Sequence, residues 1–330
     1  LNYLKRSAAV IAVGCWGIAA FGQDIHFTQF NASPLTLNPS LTGKLQCTYR
    51  AALNFRSQWS KIPAPYHTFS AGFDAALWKP RLGGDAVGIG LILMNDVAGD
   101  GSLGHLNIDL SLAYHKALSE KHILSGGFAF SYNQLSLDFH KLIFANQIDA
   151  GGSNPSLPSD ENFFPGSNYG DINAGLHYSA IISENLSYSI GGALYHVLKP
   201  VQTFLNNPEN RVYSRFLMQG GFSMGINDQM SISPSFLYMT QGKAEELDAG
   251  ASLGYHMEDA SLYLGVWYRN RDAVLALVGL EIDNIVFGVS YDITVSDASK
   301  ANQGQGAFEL SLSYNGCVSA KRRITHCPRF

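Results

Sequence analysis

The chain has 330 residues, 15% of them charged and 46% in the apolar set, with a formal net charge of −4. A soluble domain carries about 25% charged residues, so this surface is short of ions, while the 12% aromatic content and small net charge exclude a disordered chain and a strongly basic nucleic-acid binder. No apolar run of about 18 residues follows position 22, which excludes a bundle of membrane helices; a membrane β-barrel or a large secreted β-protein remains.

Lys5 and Arg6 precede an apolar run, Ala8 to Ala20, that ends in small residues. Residues 1–22 are expected to be a signal peptide whose removal frees Gln23. Read as a transmembrane anchor the run is too short. Read as a lipidation site, Gly14-Cys15 lacks a large aliphatic residue at Ala12. Cys47, Cys317 and Cys327 then remain, an odd count for an oxidising compartment. Cys317 and Cys327 close a short loop that could carry a disulfide, with Cys47 either free or competing for one of them. Only His326 lies near enough to help build a metal site there.

The segment from Gln23 to Gln46 holds Pro34, Asn38 and Pro39 and shows no usable period. It is expected to be a periplasmic lead-in or a plug inside a barrel. From residue 47 to residue 315 the pattern has period two, which puts alternate side chains on opposite faces of a strand. In the run from His105 to His115, Leu106, Ile108, Leu110, Leu112 and Tyr114 share one face, and Asn107, Asp109, Ser111 and Ala113 share the other. Fourteen antiparallel strands are predicted at 48–58, 66–78, 86–97, 102–116, 121–133, 168–182, 185–198, 212–225, 229–240, 245–257, 260–270, 273–282, 285–295 and 305–315.

Three features favour a transmembrane barrel over a sandwich. Many runs are ten to fifteen residues long, whereas sandwich strands average about five or six and tilted spanning strands need about nine to eleven. Aromatics, among them Trp59, Tyr66, Trp78, Tyr114 and Tyr314, gather near strand ends, as at a headgroup boundary. Tight connections such as Ser183-Glu184 and Asp283-Asn284 alternate with a set that includes long ones at 134–167, 199–211 and 296–304. Outer-membrane barrels keep short turns in the periplasm and long loops outside. Residues 316–330 are expected to be a periplasmic tail, and the 134–167 loop to contact a partner. Gly126-Gly127, Gly191-Gly192 and Gly220-Gly221 are candidate bulges or corners.

The sequence holds no HExxH, Walker or strand–GxGxxG–helix unit, and no catalytic, cofactor-binding or metal-ligating set is expected. The histidines are scattered, and Asp96 and Asp100 around Gly99 read as turn formers before they read as a Ca²⁺ site. Arg50, Asn54, Arg56 and Gln58 share the lumen parity of the first strand. Asp74 on the second strand could pair with either arginine. The set reads as an ion-pair network that fixes a plug, or as a surface for a translocating or docked peptide.

A family resemblance rests on Gln23-Asp-Ile-His-Phe-Thr-Gln-Phe, on Ser33-Pro-Leu-Thr-Leu-Asn-Pro-Ser-Leu-Thr-Gly43, on Tyr49-Arg50, on Asn54-Phe-Arg-Ser-Gln-Trp59, on Tyr66-His-Thr-Phe-Ser70 with Asp74, and on the tail Cys327-Pro-Arg-Phe330. With these the chain resembles the PorP/SprF family of type IX secretion outer-membrane proteins. Ser40 stands where the family's Asn-Pro-Ala run has Ala. The resemblance implies a non-enzymatic barrel in the outer membrane of a Gram-negative bacterium. It also implies work on substrates such as gliding adhesins through their C-terminal domains, or contacts with periplasmic ring lipoproteins or a peptidoglycan-binding subunit. The family motif places Asn38, Pro39, Arg50, Asn54, Arg56, Gln58, Trp59 and Asp74 as contacts to a partner or plug. A passive channel or apolar small-molecule transporter is the alternative, since fourteen strands leave room for a lumen.

Overall fold

A computed structural model describes residues 24–60, 65–77, 84–99, 101–149, 152–154, 157, 166–204, 208–297 and 299–317. Fourteen antiparallel strands close into one barrel. They are β1 (Tyr49–Gln58), β2 (Tyr66–Leu77), β3 (Ala86–Ala98), β4 (Leu103–Ser119), β5 (His122–Ser136), β6 (Gly166–Ser183), β7 (Leu186–Tyr195), β8 (Arg215–Gly225), β9 (Met230–Gln241), β10 (Ala244–His256), β11 (Ala260–Arg269), β12 (Ala273–Ile282), β13 (Ile285–Thr294) and β14 (Gln305–Gly316). Each pairs with its neighbours in the chain, and β1 also pairs with β14, Tyr49 opposite Gly316 and Gln58 opposite Ala307. Closure matters because an open edge in hydrocarbon would leave backbone N–H and C=O groups unpaired at several kcal/mol each. The predicted strand count holds, and every observed strand end falls within three residues of its predicted place.

The two faces are those read from the alternation. On β4, Leu110 and Leu112 are 45% and 43% exposed while Asp109 and Ser111 are 7% and 3% exposed. Phe69, Phe73, Leu91, Phe128 and Leu176 point outward on other strands in the same way. An apolar belt this extensive is not a soluble protein's surface; it is one that hydrocarbon covers. Trp78 lies outside the described residues.

Connections differ sharply between the two ends. Residues 120–121, 184–185, 226–229, 257–259 and 283–284 turn tightly at one end, and 137–165, 196–214 and 295–304 are long excursions at the other. The longest has structure of its own: 3-10 turns at Phe139–Lys141 and Ala145–Gln147 lead into a two-residue-stranded hairpin, Ile148–Asp149 with Gly152–Ser153. The glycine pairs expected at bulges are in register instead, Gly127 opposite Ala113 and Gly191 opposite Gln219. The register shifts fall at Ala117/Ser119, Ile181/Ser183 and Tyr291/Ile293, all near strand ends.

A disulfide joins Cys47 to Cys317, with Cα atoms 4.5 Å apart. This corrects the expected Cys317–Cys327 pairing; Cys327 lies outside the described residues. The reason is closure itself. Thr48 N donates to Gly316 O across the β1–β14 seam (2.9 Å), so residues 270 apart in sequence become neighbours. Short spacing in the chain carries no information about that seam.

Asp24 to Lys44 runs inside the barrel as a strap. It contacts the long-loop ends of the strands first and descends to β1 at the tight-turn end. Of the two placements left open for this segment, the structure has the plug.

Candidate functional site

The strap lacks regular structure because its prolines forbid a long helix or a ladder strand. Pro34 opens a single helical turn, Pro34–Leu37, and Pro39 opens a 3-10 turn, Pro39–Leu41; both sit where a missing N–H costs nothing. Asn38 caps the second turn. Its Oδ1 accepts from Ser40 N (2.9 Å) and Ser40 Oγ (2.7 Å), and its Nδ2 donates to Leu176 O and Gly192 O on β6 and β7 (3.1 Å each). Ser40 thereby adds a bond that Ala could not make.

The seat beneath this turn is made of glycines. A Cβ at Gly175 would lie 1.9 Å from Asn38 Oδ1, one at Gly127 2.5 Å from Pro39 O, and one at Gly88 1.9 Å from Thr42 O. Strap backbone therefore rests directly on the backbone of β3 and β5, and the Asn38 side chain rests on that of β6. On β4, Ser111 accepts from Thr42 Oγ1 (2.9 Å), and His115 Nε2 lies 2.8 Å from Thr42 O. Gly90 is close to the strap as well: a Cβ there would lie 2.9 Å from Thr42 Cγ2.

Charge holds the strap at three levels. Nearest the tight turns, Asp74 takes both Arg50 Nε (3.0 Å) and Arg50 Nη2 (2.8 Å), and also accepts Gly43 N (2.8 Å). Higher up, the two oxygens of Glu309 accept Thr28 N (2.7 Å) and Gln29 N (2.9 Å), and Arg56 pairs with the same carboxylate. Thr28 Oγ1 donates to Asp292 (2.9 Å), which Arg269 reaches at 3.2 Å; Arg269 also pairs with Asp248 (3.2 Å). The strap's backbone amides thus complete a buried network that barrel arginines neutralise, as buried charges require.

At the long-loop end, Asp24 Oδ2 meets His196 Nε2 (2.6 Å), whose Nδ1 meets Asp171 (2.5 Å). Gln241 Nε2 donates to Asp24 Oδ1 (2.9 Å), and Arg215 Nε lies 3.6 Å from Asp24. His196 follows β7 rather than lying in it. Burial opposes its protonation, but the hydrogen bonds it donates to Asp171 and Asp24 prevail and raise its pKa to about 9.

The predicted residues divide accordingly. Asn38, Pro39, Arg50, Arg56 and Asp74 meet at the strap and its supports. Asn54 donates to Ser70 Oγ within the wall (3.2 Å), and Gln58 accepts from Arg56 (3.3 Å). Trp59 packs edge-on against Tyr66 at the rim, and its backbone N–H donates to Gly306 O (2.8 Å). Asp74 takes Arg50, and Arg56 takes Glu309 and Asp292. Asp96 accepts from Thr68 Oγ1 (2.5 Å) in the β2–β3 wall, and Asp100 lies outside the described residues. Sequence reading missed Glu309, Asp292, Arg269, Asp248, His196 and Asp171. Their signal was present: five are charged or titratable groups on the lumen parity of otherwise apolar strands.

The strap seats against β3–β6 and leaves space on the opposite side. A cavity of about 430 Å³ lies between its Phe30, Leu37 and Leu41 and the barrel's Trp267, Leu275 and Leu277. It extends to Asp283, Asn284 and Asn315 at the tight-turn end. Its ceiling is the apolar cluster of Phe30 and Leu37 with Tyr195, Leu217, Leu237 and Trp267, Phe30 meeting Trp267 edge-on at 6.3 Å. In this sector Leu217, Leu237, Trp267 and Leu275 give the lumen face an apolar patch among its polar residues.

A closed barrel with an apolar belt and a pinned internal strap defines a plugged membrane-type β-barrel. The chain belongs to the type IX secretion system membrane protein PorP/SprF family, whose model matches residues 19–314. No curated protein matches the chain. Among solved structures it is similar to the Ralstonia pickettii toluene transporter TbuX (11% identity, 87% of this chain and 94% of that one, TM-score 0.55). It is also similar to the P. putida toluene transporter TodX (10%, 88% and 94%, 0.53) and to a Pseudomonas aeruginosa FadL homologue (9%, 84% and 92%, 0.50). At such identities the likeness establishes the fold alone.

Proposed function

We propose that the protein is a non-enzymatic outer-membrane component of type IX secretion in a Gram-negative bacterium. It supports export or surface attachment of substrates, such as gliding adhesins, through their C-terminal domains, or it contacts periplasmic ring lipoproteins or a peptidoglycan-binding subunit. The family match over residues 19–314 carries this reading. The tight-turn end then faces the periplasm and the long loops face outward. The internal charges support the non-enzymatic part, since Asp74, Glu309, Asp292 and Arg269 are engaged in holding the strap.

Deletion of the gene should abolish release or display of a type IX substrate, and the detergent-purified barrel should carry a secretion subunit or a C-terminal domain with it. Normal secretion together with an empty pull-down would overturn the reading. The rival is an apolar-solute channel, suggested by the fold likeness to toluene transporters. The strap's three levels of attachment argue against a standing pore. In liposomes the intact protein should be electrically silent, and stable open conductance would favour the rival.

A further inference from the structure

β6 outruns its neighbour. It has eighteen residues against ten in β7, and the β6–β7 ladder ends at Ala174 opposite Leu194, while β5 stays with β6 to the top, Ser136 opposite Gly166. β7 leaves because His196, at φ 55°, turns inward: its N–H donates to Asn173 Oδ1 (3.1 Å) and its ring reaches Asp171 on the lumen face (2.5 Å). Val197 N makes the last bond, to Ile172 O (3.2 Å), and Asp171 Oδ1 accepts the Ile172 N–H (2.8 Å). Phe204 of the β7–β8 connection packs on Leu135 and Tyr169, which have lumen parity, so the connection covers the inner face of upper β6 rather than pairing with its edge. Backbone groups alternate sides along a strand. Ile172 O points to the β7 side, so the N–H and C=O of Gly170 and Asn168 do too, and none of the four has a partner among the described residues. Both residues are exposed, and a glycine has only backbone to expose. An open edge is not tolerated in hydrocarbon. This one starts level with Tyr132, opposite Gly170, where aromatic rings mark the headgroups, and rises from there.

Resting on the secretory reading above, we propose that the edge of β6 at Asn168 and Gly170 takes an added strand from a secreted polypeptide at the cell surface. Four main-chain groups in line select another extended main chain, the partner that repeats N–H and C=O at the same spacing. No lysine, proline or bulge guards the edge from Gly166 to Asp171. At its foot Val197 and Leu198 are exposed and can receive alternate side chains. Arg211 donates to Lys199 O (3.1 Å), which groups two exposed cations beside them. The added strand is therefore apolar at alternate positions and acidic at one end. A second copy of this chain does not fit. Two barrels upright in one membrane carry β6 in the same sense, so the strands cannot meet antiparallel. With a tilt of about 35–45°, a two-fold axis along the membrane normal cannot set them parallel either.

The test uses the full-length barrel in mild detergent and an end-blocked, dye-labelled octapeptide of alternating threonine and valine that ends in two aspartates. Saturable binding is expected. Asn168→Pro removes one edge N–H and no β5–β6 bond, because position 168 turns its N–H away from β5; it should weaken binding at least fivefold. Asn168→Ala keeps the N–H and should leave binding unchanged. Heat-dependent gel mobility and the intact Cys47–Cys317 bond check that both variants fold. A second measurement needs neither variant: deuterium uptake by the backbone of 166–171 should be fast in the free barrel and slow several-fold when the peptide is present. Binding that ignores Asn168→Pro, equal loss with both variants, no binding and no protection, or an edge already protected in the free barrel would each overturn the proposal. If deletion blocks export but the edge takes no peptide, the secretory role stands and this inference falls; peptide binding at the edge alongside normal export upholds the edge and removes the role.

Discussion

Single residues in this barrel are decided by which side of the wall they occupy. Glu309 is 1% exposed and answers two strap amides and one guanidinium. Glu309→Gln keeps the shape but removes the charge and turns a donor toward an N–H. It should cost about 3–5 kcal/mol, as breaking a buried pair does, in denaturant unfolding from detergent; a change under about 1 kcal/mol would show that the network is slack. On the opposite face, Leu110→Arg should cost about 2–4 kcal/mol at the bilayer middle, and Asp109→Asn much less. Equal costs would mean that the faces are reversed. Ser40 carries a smaller lesson: its hydroxyl bond to Asn38 Oδ1 is a substitution that improves a cap rather than disturbing a motif.

Among the elements the strap is the one without a ladder, so its hold depends on titratable groups. His196 has its pKa raised from 6.5 to about 9 by carboxylates at Asp171 and Asp24. The sign follows from linkage: a raised folded-state pKa gives stabilisation that is complete below about 6.5 and is lost as pH rises through about 9. Asp24 and Asp171 flank the ring, so its neutral form leaves Asp24 with Arg215 and Gln241 and leaves Asp171 with the Ile172 and Leu198 amides. A nitroxide at Ile25→Cys should therefore gain mobility between pH 7 and 10, with a midpoint near 9, and His196→Gln should remove the step. Loosening on acidification instead would refute this latch.

At the scale of the whole molecule, closure makes distant residues adjacent. The Cys47–Cys317 bond staples the seam between the first and last strands, yet ten register pairs already join them. Cys47→Ser should lower stability by about 2–4 kcal/mol while far-ultraviolet dichroism stays that of a β-protein. Loss of the β signal would mean that the bond, not the ladder, closes the barrel. Sidedness is testable too. An impermeant maleimide should label Glu209→Cys in the long β7–β8 connection of intact cells and spare Glu184→Cys in the tight β6–β7 turn. Labelling of both from outside would contradict the orientation.

Period-two alternation is a local property, and it alone determined the strand count, the strand ends to within three residues and the face that Leu110 or Asp109 would occupy. A one-residue error in pairing would turn every side chain to the wrong face, so the pattern admits one answer. Contacts between elements were another matter. Asp74 choosing Arg50, Glu309 choosing the strap amides and Cys47 choosing Cys317 join residues 24, 281 and 270 positions apart. Nothing in a strand's own pattern ranks such partners. Gly88, Gly127 and Gly175 read as bare alternation until the strap lies on them, because a missing side chain shows its purpose only when another part of the chain fills the space.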